Sequence, residues 1–109
     1  MPPIDLAHLA SQTGGDHALE AEVLRLFATR SLADFEKLKA AASGSRRDLA
    51  HLIVGSARAI GAADVARTAA AIEAGGGDLA ALEAAIAETC RFIAEYLDRP
   101  ENRRPSPSV

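Results

Sequence analysis

Alanine constrains this chain more than any other feature: 25 of its 109 residues are alanine, spread from Ala7 to Ala94. Alanine is the strongest helix former, because ordering it costs no side-chain entropy, and it is depleted in strands. Three Phe, one Tyr and no Trp leave few bulky groups to fill a core, so helices built from this chain must approach one another closely. No segment shows the period-two alternation of a half-buried strand. The expected fold class is therefore all-α. At 109 residues, with 49% hydrophobic and 25% charged residues, the chain fits one globular domain and not a disordered segment.

The remaining composition excludes several classes of function. A net charge of −3 argues against nucleic-acid binding, which normally needs a basic stripe. One cysteine can form no intramolecular disulfide and supplies no structural zinc site. No apolar run reaches the length of a membrane span, and Met1-Pro2-Pro3-Ile4-Asp5 lacks a signal pattern. A soluble cytoplasmic protein, with no membrane partner and no cofactor, is the expectation.

Turn residues divide the chain into five helical pieces. Asp5 is placed to cap a short helix through about Gln12, closed by Gly14-Gly15. Asp16 then caps a long helix to about Ala42, with the stripe Leu24, Phe27, Phe35, Leu38 interrupted by Ser31. After Ser43-Gly44, the run Ser45-Arg46-Arg47-Asp48 has the form of a capping box and opens a third helix to Ile60. A fourth, about Ala62 to Ala74, carries Val65, Ala69 and Ile72 on one face and meets Gly75-Gly76-Gly77. Asp78 caps the fifth, whose stripe is Leu79, Leu82, Ile86, Cys90, Ile93 and Leu97, and Pro100 ends it. These spans predict an antiparallel up-down four-helix bundle over residues 1–99 with a short N-terminal capping helix. Residues 100–109, rich in Pro, Ser and Arg, are expected to form a disordered tail.

The third helix is unlike the others. With Leu49 at 0° and about 100° per residue, Leu49, Leu52, Ile53, Ser56 and Ile60 fall within about 60° and form the expected buried stripe. Arg47, His51, Val54, Gly55 and Arg58 fall on the opposite side, between about 140° and 240°. A mid-helix glycine costs roughly 1 kcal/mol against alanine, so Gly55 suggests that a side chain there would obstruct something. Position 55 is one turn from His51, and its emptiness clears space beside the imidazole. Residues 45–60 hold three arginines and one aspartate, a local +2 in an acidic chain. Cationic neighbours favour the neutral, nucleophilic imidazole, and the charge suits an anionic group such as phosphoryl. An ordinary surface histidine beside an accidental glycine is the competing account of the same geometry.

The run His51-Leu52-Ile53-Val54-Gly55-Ser56, followed by Gly61-Ala62, resembles the signature of the histidine-containing phosphotransfer (HPt) family. The likeness extends to Gly14-Gly15-Asp16, Leu19 and Phe27 upstream and to Ile72-Glu73 downstream, over about residues 4 to 97. The resemblance implies that His51 is the phosphoacceptor and that Gly55 keeps its approach open. The family's usual lysine three residues after the histidine is Val54 here, which leaves Arg58, and less directly Arg47, to support the phosphoryl group. The implied role is that of a phosphocarrier with no ATP site of its own, not an enzyme. Its implied partners are response-regulator receiver domains, a hybrid sensor histidine kinase, or both, met by a monomer. Val54 and Gly55 form the expected docking surface, and no metal is expected. A degenerate bundle that binds a receiver or kinase without carrying phosphate is the alternative.

Overall fold

The computed structural model describes residues 2–100 of the chain. It is all-helical among those residues: α1 spans Leu6–Thr13, α2 His17–Ala40, α3 Ser43–Ile60, α4 Ala63–Glu73 and α5 Leu79–Asp98. Of the expected 100–109 tail, everything after Pro100 lies outside the described residues.

Three of the five starts are set by aspartates with extended backbone. The carboxylates of Asp5, Asp16 and Asp78 accept from the backbone N–H groups of His8, Leu19 and Ala80, satisfying donors that a helix leaves orphaned at its first turn. The third helix departs from expectation. It begins at Ser43, two residues before the anticipated capping box, with Ala42 at the cap position and no side-chain cap at all. Its other end is closed by Gly61 at φ +78°, where an added Cβ would lie 3.1 Å from Asp5 Cβ and carbonyl O. The Asp5 N–H donates to the Gly61 carbonyl at 2.9 Å, so the chain entering α1 is tied across the α3–α4 turn.

Helices α2, α3, α4 and α5 close a ring in which each packs on its two chain neighbours and α5 returns to α2. Helix α1 leans on α2 and α3 at one end. The connections are short, so neighbours run antiparallel and the bundle follows from helix lengths and turns alone. The core takes Leu24, Phe27, Phe35 and Leu38 from α2, with Leu82, Ile86 and Ile93 from α5. Ser31, the polar interruption in the α2 stripe, is buried and donates to the Phe27 carbonyl at 2.6 Å. Beside it, Cys90 is half-buried and behaves as a small hydrophobe; burial pushes its thiol up, against a smaller opposing effect of the Ser31 hydrogen bond.

Between α3 and α4 the contact is made of small residues. Ala50, Ala57, Ala62, Val65 and Ala69 are all fully buried. Small side chains let two backbones approach, and dense packing then replaces the area that large side chains would have contributed.

Candidate functional site

Helices α3 and α4 form a hairpin about Gly61-Ala62. His51 lies ten residues before Gly61 and Glu73 eleven after Ala62, so an antiparallel pair of equal pitch brings them level. They meet: His51 Nδ1 is 2.6 Å from Glu73 Oε2. A carboxylate can only accept, so Nδ1 carries the proton and donates it. In the neutral ring the second nitrogen, Nε2, then keeps its lone pair. The His51 side chain is 72% exposed and that of Glu73 33%, which leaves that lone pair open to an incoming reactant.

Arg47 stands one turn before His51 on α3 and lines a surface hollow together with Ala70, Glu73 and Ala74. It is exposed and forms no ion pair among the described residues. Arg58 is also exposed, but it lies two turns beyond His51, about 10.5 Å along the axis. It occupies the last turn of α3, where a cation complements the helix dipole. The two arginines named from the sequence are thus separated: Arg47 borders the hollow of Glu73, and Arg58 stands apart from it.

Val54 requires a correction. It was expected on the outward docking surface, but it is 3% exposed and belongs to the core. The buried stripe of α3 is Ala50, Ile53, Val54, Ala57 and Ile60, centred about 80° from the expected position on the helical wheel. Leu52 and Ser56, expected inside, are exposed, Leu52 by 58%. Leu52 is the larger side chain, but the small Ala50 and Ala57 take the interior against α4. Gly55 is outward as expected, with nothing within 4 Å of an added Cβ. Nothing inside the molecule therefore demands a glycine there.

A groove of about 130 Å³ runs between α2 and α3, lined by Val23, Leu26, Phe27, Ile53, Ser56 and Ile60 together with Arg30, Ser31 and Asp34, on the side of α3 turned away from His51. Leu26 is 55% exposed at this groove. Leu52 and Gly55 share the solvent side of α3 with His51, so the imidazole stands beside an apolar strip.

His8 is half-buried and His17 exposed, and neither ring has a hydrogen-bond partner among the described residues. No group of three His, Cys, Asp or Glu residues that could hold a metal occurs among them. No helix among them is long and apolar enough to cross a membrane. Glu73 was not singled out as a site residue from the sequence. The signal available was the Ile72-Glu73 pair closing the fourth helix, equidistant with His51 from the turn. No protein-family model, curated protein or solved structure matches this chain.

Proposed function

We propose that this protein is a histidine phosphotransfer carrier, moving a phosphoryl group between receiver-domain aspartates through His51. The observation that carries the reading is the Nδ1–Glu73 hydrogen bond on an exposed imidazole. In the proposed step the Nε2 lone pair attacks phosphorus of an aspartyl phosphate on the donor. The bond from phosphorus to the acyl oxygen breaks, and the donor carboxylate leaves with that electron pair. Positive charge developing on the ring is offset by the Glu73 carboxylate, which keeps hold of the Nδ1 proton. The same steps in reverse deliver the group to a second aspartate. No proton need enter or leave.

The surroundings support this chemistry. Arg47 offers a cation one turn away, in the role first given jointly to Arg58 and Arg47. Gly55 leaves the approach open, and the exposed Leu52 supplies apolar area for a docked domain. The phosphodonor and acceptor receivers, with any hybrid kinase that carries one, are the proposed partners.

A binding module that carries no phosphate is the second reading, and the burial of Val54 favours it, because position 54 contributes neither a cation nor surface. Incubation with a phosphorylated receiver separates the two. The carrier reading expects an acid-labile, alkali-stable label that is absent from His51→Gln. Receiver binding without label in the wild-type protein would establish the second reading instead.

A further inference from the structure

A second basic site lies one turn below His51, on the far side of Arg47. Between the start of α3 and the turn that follows α4 is a hollow of about 200 Å³ lined by Ser43, Arg46, Arg47 and the Gly75–Gly77 turn, with Ile72 and Leu79 as its apolar walls. A water's share of liquid volume is about 30 Å³, so the hollow accommodates a tetrahedral oxyanion with some of its hydration.

Three features give it an unbalanced positive character. Arg46 is half-buried, and its Nε is fully buried with no hydrogen-bond partner. A guanidinium N–H removed from water without an acceptor is costly, and buried donors are normally satisfied. Neither Arg46 nor Arg47 forms an ion pair among the described residues. Helix α3, 18 residues long, starts at this hollow without a side-chain cap, whereas α1, α2 and α5 are each capped by an aspartate. Its first-turn N–H groups and the positive end of its dipole are therefore left for another acceptor.

The nearest acceptors are already engaged: the Glu73 carboxylate, which shares the adjoining hollow with Arg47, takes the His51 hydrogen bond. The carbonyls of Ala70, Ala71 and Ile72 at the end of α4 accept from Ala74, Gly76 and Gly75. Asp78, next in sequence to the turn, is engaged in capping α5 through its bond to the Ala80 N–H. Gly77 holds φ +80° with an added Cβ only 2.9 Å from the Ile72 nitrogen, so the turn is pressed against α4 and fixes one wall of the hollow.

We infer that this hollow binds a phosphate-type dianion, free or as a terminal monoester, between Arg46, Arg47 and the N-terminus of α3. Guanidinium forks and helix-start amides both suit an acceptor with several oxygens in tetrahedral array. His51 does not line the hollow, so binding there does not require phosphotransfer, although Arg47 borders both sites.

Amide NMR titrations with inorganic phosphate and with glycerol phosphate, against chloride at equal ionic strength, test it. Saturable shifts at Ser43, Gly44, Ser45 and Gly77 with phosphate but not chloride are expected. Shifts with both phosphates mean that a terminal monoester suffices, and shifts with inorganic phosphate alone mean that the hollow admits only the free ion. Arg46→Gln should weaken binding about tenfold or more, as expected for a lost charge-assisted hydrogen bond. Should Arg46→Gln fold poorly, the exposed Arg47→Gln provides the same comparison. Equal shifts with chloride, or phosphate binding unchanged in the folded arginine variants, would overturn the assignment.

Discussion

Two glutamates in this bundle each meet a ring on the adjacent helix, with opposite consequences. Glu20, on α2, is 5% exposed and accepts a hydrogen bond from the Tyr96 hydroxyl of α5. Glu73 accepts from His51 at the surface. The buried pair ties α2 to α5 in a setting where an unsatisfied carboxylate would be expensive. Exposure weakens the other pair as a source of stability, since solvent-exposed ion pairs contribute little. What it provides instead is an Nδ1 anchored on Glu73, so that in the neutral ring the Nε2 lone pair faces water. Similar chemistry is structural in one place and available for reaction in the other, and burial makes the difference.

The largest expected effect comes from placing a charge inside with no partner. Val54→Lys should lower stability by about 3 kcal/mol or more, seen as a sharply lower melting temperature. An unchanged melt would mean that position 54 faces solvent and that the core assignment of α3 is wrong. Glu73→Gln should fold like wild type but transfer phosphate about ten- to hundredfold more slowly, the loss expected for one charge-assisted hydrogen bond. Equal rates would show that Glu73 merely neighbours His51. Tyr96→Phe should do the converse: about 1–3 kcal/mol of stability lost, with the transfer rate retained. A slower transfer without a lower melt would erase the contrast between the two pairs. Smallest is Gly55→Leu, expected to raise stability by under about 1 kcal/mol through helix propensity while impairing receiver docking. Unimpaired docking would remove the steric role of the glycine.

The bundle was legible in the sequence because aspartate caps and glycine stops are local signals. Asp5, Asp16, Asp78 and Gly61 act where they stand, and Leu24, Phe27, Phe35 and Leu38 of α2 with Leu82, Ile86 and Ile93 of α5 point inward as their spacing predicts. Helix α3 was harder. Its interior is chosen by the close approach of α4, which selects Ala50, Val54 and Ala57 over the larger Leu52, and a helical wheel weighted by side-chain size cannot register that choice. The missing cap at Ala42 escaped for a related reason: the capping-box pattern at Ser45 marks a possible start, while the chain enters the helix at Ser43. The outward placement of His51 and Gly55 was legible from spacing. Glu73 was not singled out, because its pairing depends on two residues lying equally far from one turn.

In the proposed carrier, Glu73 holds the Nδ1 proton and directs chemistry to Nε2 of His51. Locating the phosphoryl group after incubation with a phosphorylated receiver, by ¹⁵N and ³¹P NMR on ring-labelled protein under alkaline conditions, decides this. The expected result is phosphorus bonded to Nε2 of His51 alone, with Nδ1 still protonated. Phosphorus on Nδ1, or on the ring of His8 or His17, would contradict the claim.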